Sequence, residues 1–223
     1  MKASDLKYPS AWEERRPALH EGVFFVPTYY REHARELFPK WQEFFGREAP
    51  LVIEFCSGNG TWVCERAAID RGRNWLAVEM KFERVRKIWK RGRCKELENL
   101  RTVCGEALTF ATHYLPEECA EEIFINFPDP WPKGKHAKNR LLQPLFVEQL
   151  ARVAKRGARC TVVTDHHPYA AQVLQQMRAH PAWEPIYGDP FYITDWPGYG
   201  SSYFDELWRS KGCEVRYLSF VRG

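Results

Sequence analysis

The sequence predicts an α/β fold, a parallel sheet flanked by helices, and two observations lead to it. Short apolar runs recur along the chain, and most of them are followed by longer stretches with apolar residues at helical spacing. The first run leads through a glycine-containing turn into a helix, Thr61 to Arg71, an arrangement typical of ligand-binding parallel sheets. The runs predicted as strands are Leu51–Cys56, Asn74–Glu79, Leu100–Cys104, Glu122–Asn126 and Arg159–Thr164.

Size and composition bound the class of protein. The 223 residues suffice for one α/β domain with its own core and a modest addition. A hydrophobic content of 44% excludes a disordered chain, and a net charge of +4 suits a nucleic-acid partner without indicating one. The sequence shows neither a signal peptide nor an apolar run of membrane-spanning length, so we expect a cytoplasmic protein with no membrane partner.

Cysteine and histidine spacing gives no metal site. The seven cysteines form no C-x-x-C pair, and their odd number and irregular spacing indicate neither a disulfide framework nor a zinc site. His166 and His167 are adjacent on a predicted extended segment and therefore point to opposite faces. We expect no bound metal and a reducing compartment.

The N-terminal region is expected to lie outside the main domain. Residues 1–22 are polar and contain prolines, which indicates an extended or mobile arm, and Gly22–Pro27 is an apolar patch without an obvious partner. From His33 to Phe45 apolar residues recur at helical spacing, interrupted by Pro39. We expect this helix to pack on the main domain, the alternative being an aromatic and basic arm that touches RNA. The predicted division is residues 1–48 for the arm and helix and 49–223 for the main domain.

The first two strands predict a cofactor that contains adenosine. Gly58 and Gly60 follow the first strand, and Glu79 ends the second, where a carboxylate can accept both hydroxyls of a ribose. A dinucleotide site needs a small residue at the position of Val63, whereas S-adenosylmethionine has no pyrophosphate and does not. Glu54 would repel a pyrophosphate but suits the charged end of a methionine moiety. The pattern therefore favours S-adenosylmethionine over a dinucleotide.

Two further features have both a functional and a plain structural interpretation. Glu106 follows the third strand and could bind the adenine amino group or simply cap the next helix. The predicted helix from Lys81 to Glu96 is dense in lysine and arginine, typical either of a solvated face or of contacts with phosphates.

Asp129 lies between two prolines directly after the fourth strand. Because each proline fixes φ and lacks an N–H, the segment predicts a stiff turn at the ligand-binding edge of the sheet. A carboxylate held there beside cationic groups suits chemistry on a polyanion, although a proline-rich loop before a solvated helix is the plainer interpretation. The cationic groups that follow are Lys133, Lys135, His136, Lys138 and Arg140.

The remaining chain completes the predicted order of elements. A helix from Leu141 to Lys155 precedes the fifth strand, which ends at Asp165, a second acid at the same edge. Another helix runs from Pro168 to His180, and a short helix containing Trp208 precedes a final strand from Glu214 to Val221.

With these residues assembled, the chain resembles the bacterial transfer-RNA (guanine-N7)-methyltransferase family from about Leu51 to Phe220. The most specific segment is Asn126–Lys133, which reads Asn-Phe-Pro-Asp-Pro-Trp-Pro-Lys. Thr164–Asp165 and Ser202–Asp205 support it. Departures from the family pattern are Cys56 for a glycine, Glu106 for Asp, Asn139 for a basic residue, Ser202 for Thr and Asp205 for Glu.

The resemblance implies a Rossmann-like class I methyltransferase with a mostly parallel sheet and an antiparallel final strand. It implies methyl transfer from S-adenosylmethionine to guanine N7 at position 46, in the variable loop of tRNA. The sequence leaves open whether the protein is a monomer or homodimer. Asp129 would be the active-site acid and also line the cofactor site with Glu54, Gly58, Gly60, Glu79 and Glu106. The residues that would contact substrate are Lys133, Asp165, Ser202, Tyr203, Phe204 and Asp205.

Several points stay open from the sequence. Trp131, Tyr203 and Phe204 are candidates for stacking on a base, although core packing is the favoured interpretation for Trp131. The alternative functions are methylation of another RNA, a small molecule or a protein, and RNA binding by an inactive methyltransferase fold. A dehydrogenase is opposed by Val63.

Overall fold

The structure is a computed structural model, which describes residues 1–9, 16–36, 40–200 and 202–223. The chain folds into two compact units, Met1–Leu115 and Pro116–Gly223. This division follows packing alone, and the separate arm and main domain divided near residue 48 stay a prediction.

The first unit contains five paired strands within its described residues. Its strand order is β1-β2-β5-β4-β3, in which β2, β5, β4 and β3 run parallel and β1 pairs antiparallel with β2. The strands are β1 (Ala18–His20), β2 (Val23–Phe25), β3 (Leu51–Phe55), β4 (Asn74–Glu79) and β5 (Leu100–Cys104). The helices are α1 (Trp41–Phe45), α2 (Thr61–Ile69), α3 (Phe82–Cys94) and α4 (Ala107–Tyr114).

Every residue of β3 and β4 is buried, which explains why their sequences are almost uninterrupted apolar runs. Burial on both faces is expected for parallel strands covered by helices. The two charged residues in these strands, Glu54 and Glu79, are therefore exceptional in being nearly inaccessible to solvent.

The N-terminal segment is part of the fold rather than a loose arm. Leu6 is 1% exposed, and the ring of Tyr8 stacks on that of Phe82 in α3 with centroids 3.8 Å apart. The apolar patch Gly22–Pro27, for which the sequence offered no partner, contains β2, which pairs with β5. Leu6, Tyr8 and β1 (Ala18–His20) are thus packed on the fold, which an arm extended away from it would not be, and residues 10–15 lie outside the described chain.

The helix predicted from His33 to Phe45 is present only in part. A single 3-10 turn spans His33–Arg35 and α1 begins at Trp41, while residues 37–39 lie outside the described chain. The short α1 is consistent with the proline at position 39, which lacks the N–H that a continuous helix needs.

The second unit holds the rest of the strands and confirms the antiparallel final strand. Its order is β6-β7-β9-β8; β6 and β7 are parallel, whereas β9 runs antiparallel to both neighbours. The strands are β6 (Ala120–Asn126), β7 (Ala154–Thr164), β8 (Trp183–Pro185) and β9 (Arg216–Arg222). The helices are α5 (Pro144–Val153), α6 (His167–Ala179) and α7 (Tyr203–Ser210), and a 3-10 segment spans Gly134–Asn139.

Candidate active site

The turn between β3 and α2 is formed by backbone in the left-handed region. Gly58 and Gly60 have φ of 57° and 75°, and Cys56 has φ of 62° although it is not glycine. A Cβ on Gly60 would lie 2.7 Å from Cγ1 of Ile88, so glycine is needed there for the packing of α3 as well as for the turn. Cys56 therefore replaces the family glycine at a position where glycine would be the least strained residue.

Glu79 is fixed beside this turn at the end of β4. Its side chain is 4% exposed, Oε2 accepts from the Gly58 amide at 2.9 Å, and Oε1 accepts from the Lys81 amide at 2.8 Å. Nη1 of Arg84 lies 3.6 Å from Oε2. Because each carboxylate oxygen has two lone pairs, one position on each oxygen is left for a hydroxyl group of a ligand. The structure therefore brings together the turn and the acid that the sequence paired.

Glu54 and Glu106 occupy different environments. Glu54 is 1% exposed within β3, and its carbonyl oxygen accepts from Oγ of Ser57 at 2.9 Å. Glu106 caps α4, accepting from the amides of Leu108 at 3.1 Å and Thr109 at 2.6 Å. Capping was one of the two interpretations that the sequence left open for Glu106, and the structure shows it directly.

The loop after β6 presents Asp129 at the surface between two strained residues. Phe127 has φ of 46° and Trp131 has φ of 42°, both in the left-handed region and neither a glycine. Such residues cost on the order of 1–3 kcal/mol each and are concentrated at functional sites. Asp129 itself is exposed. An irregular loop is therefore present where the sequence predicts a turn, and its positive φ values are a feature that the prolines alone do not predict.

Arg140 is buried rather than part of a cationic surface. It is 8% exposed, its Nε donates to the carbonyl of Pro130 at 2.7 Å, and Nη1 donates to Oε1 of Gln172 at 2.6 Å. The interpretation of Arg140 as a phosphate contact is wrong, because its donors are used to hold the Asp129 loop. The exposed cations of the segment are Lys133, Lys135 and Lys138.

Trp131 is an exposed aromatic group beside Asp129. It is 38% exposed, so the favoured interpretation as a core residue is wrong. Its ring meets that of His136 edge to face, with centroids 5.8 Å apart. An exposed indole on a strained loop is available to stack on a base.

Ser202 and Asp205 contribute first to the fold of α7. Ser202 is its N-cap, with Oγ accepting from the Asp205 amide at 3.1 Å. Asp205 is 7% exposed and accepts from Nε of Arg209 at 3.1 Å and from the hydroxyl of Tyr217 at 2.9 Å. Burial raises the pKa of Tyr217 to about 12; the hydrogen bond from Arg209 opposes this rise, and the hydrogen bond to Asp205 adds to it. Local sequence could reveal the cap from Ser at the start of a helix, but not the distant Tyr217.

The neighbouring aromatic residues of α7 differ in exposure. Tyr203 is 51% exposed, whereas Phe204 is half-buried with its ring 6.0 Å from that of Phe127. Tyr203 is thus accessible to a substrate, and Phe204 packs against the residue that begins the Asp129 loop.

Asp165 follows β7 at the start of α6 and is half-buried. The next residue, His166, caps α6 through Nδ1, which accepts from the Tyr169 amide at 3.2 Å. Burial first, and then the positive charge of Arg140, lower the pKa of His166. The structure gives this histidine a capping role, and within the described chain no group of three or more His, Cys, Asp or Glu side chains is placed to hold a metal ion.

The basic side chains of α3 fall into two sets. Arg84, Arg86 and Arg93 have partners within the protein: Glu79, the Ala3 carbonyl and Glu21 respectively. The exposed remainder consists of Lys81, Lys87, Lys90, Arg91 and Lys95. The side chains of this second set are exposed and are the candidates for contacts with phosphates.

Comparisons with known proteins agree with this arrangement. A family model described as "Putative methyltransferase" matches residues 48–215. A protein of Chlamydia muridarum named tRNA (guanine-N(7)-)-methyltransferase is 45% identical over 100% of this chain and 98% of its own length. This chain belongs to the tRNA (guanine-N(7)-)-methyltransferase family. A more distant member from Burkholderia ambifaria is 36% identical over 78% of this chain and 67% of its own length.

Solved structures show the fold of this tRNA (guanine-N(7)-)-methyltransferase family member. The 16S rRNA methyltransferase KamB is 17% identical, with a TM-score of 0.62 over 84% of this chain and 96% of its own. TrmN from Thermus thermophilus is 15% identical, with a TM-score of 0.57 over 79% of this chain and 45% of its own. The Rossmann-like α/β fold of class I methyltransferases, predicted from the sequence, is confirmed. Within the described residues, no helix combines the length and apolar character needed to cross a membrane.

Proposed function

We propose that this chain transfers a methyl group from S-adenosylmethionine to N7 of a guanine in tRNA, and that this guanine is at position 46 in the variable loop. The observation that carries the proposal is the 45% identity over the whole chain with a relative of that name. Position 46 rests on the family resemblance of the segment Asn126–Lys133.

The residues of the first unit fit the methyl donor. Glu79 keeps acceptor positions for the ribose hydroxyls beside the amides of the Gly58 turn. Glu54 is a buried carboxylate one strand away and matches the ammonium of the methionine moiety in charge. Glu106 would approach the adenine with the carboxylate that also caps α4. When bound, S-adenosylmethionine supplies an electrophilic methyl group on a sulfonium centre.

The protein's main contribution to catalysis would be to align guanine N7 with the methyl group of the donor. Guanine N7 carries a lone pair and no proton at neutral pH, so no general base is required. Alignment of nucleophile and electrophile contributes about 7–11 kcal/mol in favourable intramolecular reactions. Asp129 would accept from N1–H and the exocyclic amine of the guanine and balance the positive charge that methylation leaves on the ring.

Substrate contacts would come from exposed groups around that acid. A guanine whose N7 is engaged in tertiary pairing has to be withdrawn and stacked before that atom can react. Trp131 and Tyr203 are the exposed aromatic candidates, and Lys133 would hold a phosphate. Asp165 stays a candidate for the substrate, while Ser202, Phe204 and Asp205 would act mainly by shaping α7.

The first test is methyl transfer to unmodified bulk tRNA from radiolabelled S-adenosylmethionine, followed by borohydride and aniline treatment of the product. Label with strand cleavage in the variable loop is the expected result. Label without that cleavage would move the target to another atom or another nucleotide. Failure to label any RNA, with the cofactor still bound, would favour an inactive fold or a different substrate.

A further inference from the structure

A polar groove lies in the second unit between the 3-10 segment Gly134–Asn139 and α6. It has a volume of about 460 Å³, and its polar lining consists of Lys138, Gln143, Gln172, Gln175 and Gln176. We propose that this groove binds the ribose–phosphate backbone of the tRNA next to the target nucleotide. The inference rests on the proposed function and adds a substrate subsite to it.

Two of the amides build the walls of the groove. Nε2 of Gln143 donates to the Ala137 carbonyl at 2.9 Å, which holds the 3-10 segment in place. Oε1 of Gln172 accepts from Nη1 of Arg140 at 2.6 Å. The groove is therefore attached through Arg140 to the loop that carries Asp129, and its position is fixed relative to that acid.

The other polar side chains are available to a ligand. Within the described part of the chain, the side chains of Lys138, Gln175 and Gln176 make no hydrogen bond or ion pair with another residue. Lys138 and Gln175 are exposed, and Gln176 is half-buried. Hydrogen-bonding side chains without a partner inside the protein can bind water or the polar groups of a ligand.

The chemistry of the lining fits ribose and phosphate better than a base or a protein. An amide both donates and accepts, as does the 2′-hydroxyl that distinguishes RNA from DNA. The ammonium of Lys138 matches a phosphate, and the described lining contains no carboxylate to repel one. The described lining also contains no aromatic ring on which a base could stack. The part of α6 that lines the groove runs from Pro168 to Gln176, which is about 12 Å along the helix. An extended ligand that carries hydroxyl groups and negative charges therefore fits this groove.

The test compares matched substitutions in binding of an unmodified tRNA transcript. Gln176→Glu places a negative charge in the groove, and Gln149→Glu makes the same change on α5, where Arg152 already donates to the Gln149 side chain at 2.8 Å. Lys138→Gln removes a groove cation, and Lys155→Gln removes a surface cation that pairs with Glu121 at 2.9 Å. The dissociation constant is measured between about 50 and 200 mM salt, together with cofactor affinity and kcat at saturating tRNA.

Gln176→Glu should weaken tRNA binding about tenfold or more, because a carboxylate facing a phosphate is repelled. Lys138→Gln should lower the slope of log K against log salt by about 0.7–1. Cofactor affinity and kcat should be unchanged, and the two control variants should bind as the wild type does.

Equal effects of Gln176→Glu and Gln149→Glu, or an unchanged salt slope for Lys138→Gln, would overturn the subsite. A wild type that methylates guanine N7 while the groove variants bind tRNA normally would refute the groove alone. A wild type that binds no tRNA would refute the groove and the proposed function together. If the groove variants weakened tRNA binding but the wild type did not methylate guanine N7, only the proposed function would be refuted.

Discussion

Nε of Arg140 donates to the carbonyl oxygen of Pro130 at 2.7 Å, so a side chain from the end of the basic segment fixes the loop that presents Asp129. The same guanidinium reaches Gln172 on α6 at 2.6 Å and lies over the ring of Tyr169 at 5.2 Å. The loop is thereby joined to a helix, and its strained backbone at Phe127 and Trp131 is held in place. We expect this contact to position the acid rather than to bind RNA.

Arg140→Lys tests this positioning role because it keeps the charge and removes the forked geometry. A single ammonium cannot serve the carbonyl of Pro130 and the amide of Gln172 as a guanidinium does. We expect kcat to fall about tenfold and the free energy of unfolding to fall by about 1–3 kcal/mol, since part-buried acceptors lose a charged donor. Steady-state kinetics and urea unfolding measure the two effects.

Lys135→Arg, the reverse exchange at an exposed cation of the same segment, is the matched control and should leave both quantities unchanged. If Arg140→Lys kept normal kcat and stability and changed only the KM for tRNA, Arg140 would be a phosphate contact after all.

The sequence predicted the features that depend on local pattern. Buried parallel strands are uninterrupted apolar runs, so β3, β4 and β5 were located closely. The pairing of Gly58 with Glu79 was also foreseen, because a glycine turn and an acid at the end of the next strand are separated by one helix. Such signals lie within a few dozen residues and need no knowledge of distant packing.

What was missed depends on contacts between distant residues. Nothing in a run of basic residues marks Arg140 as the one that turns inward to Gln172. The three-residue β2 is too short to show a period, and its partner β5 lies far along the chain. Likewise, the contact of Asp205 with Tyr217 is formed only when α7 packs near β9, so local sequence does not predict it. The substrate role of Asp205 rests on the family resemblance and stays a prediction.

Asp129→Asn should reduce kcat strongly while leaving the fold intact. The side chain is exposed and the amide has the same shape, so we expect little loss of stability. Loss of the charge that would balance methylated guanine should lower kcat by about 10²–10³, the range seen when one transition-state contact is removed. Single-turnover methylation at saturating tRNA measures it.

Asp195→Asn alters another exposed aspartate of the same unit and should retain normal turnover. Near-normal kcat in Asp129→Asn would show that the acid neither orients the base nor balances its charge.

Replacement of Cys56 by glycine should stabilise the protein. The backbone of Cys56 has φ of 62°, which destabilises the folded state by about 1–2 kcal/mol for a non-glycine residue. Glycine removes this strain, but its greater flexibility in the unfolded chain cancels about 0.5–1 kcal/mol of the gain. We expect a net gain of about 0.5–1 kcal/mol in the free energy of unfolding, and a loss of about 1–3 kcal/mol for Cys56→Val. Urea titration measures both.

Cys56→Ala removes the thiol but retains Cβ, and should therefore leave stability near the wild-type value. A gain in Cys56→Ala equal to that in Cys56→Gly would assign the effect to the thiol rather than to the backbone.

His33 should make stability depend on pH between neutral and mildly acidic conditions. Burial first, and then the nearby His113, lower the pKa of His33, whose Nδ1 lies 2.6 Å from the hydroxyl of Tyr114. Below the unfolded pKa of about 6.5 the unfolded chain binds a proton that the folded chain resists, so stability falls as pH decreases. His33 contributes at most about 1.4 kcal/mol per pH unit in this window.

Urea unfolding at several pH values from neutrality downward measures this dependence, which should be smaller in His33→Gln than in the wild type. The lowered pKa of His166 acts in the same direction and remains in both proteins, so their difference isolates His33. His167→Gln, at an exposed histidine, is the control. An identical pH dependence in the wild type and His33→Gln would contradict the prediction.

The division of basic residues on α3 predicts two separate effects of neutralising them. Lys87 and Lys90 are exposed, so the double variant Lys87→Gln/Lys90→Gln should lower the slope of log K for tRNA against log salt by about 1.4–1.8, at about 0.7–0.9 per phosphate. Arg86 donates to the Ala3 carbonyl at 2.8 Å, so Arg86→Gln should instead loosen the N-terminal segment and lower the free energy of unfolding.

Salt-dependent binding and urea unfolding, measured on both variants, separate the two roles. Lys155→Gln, on the other unit, supplies the baseline for loss of a surface charge. Because Arg86 uses its donors within the protein, its removal should change the salt slope less than removal of either lysine. A larger slope change for Arg86→Gln than for the lysine pair would place the RNA on the opposite face of α3.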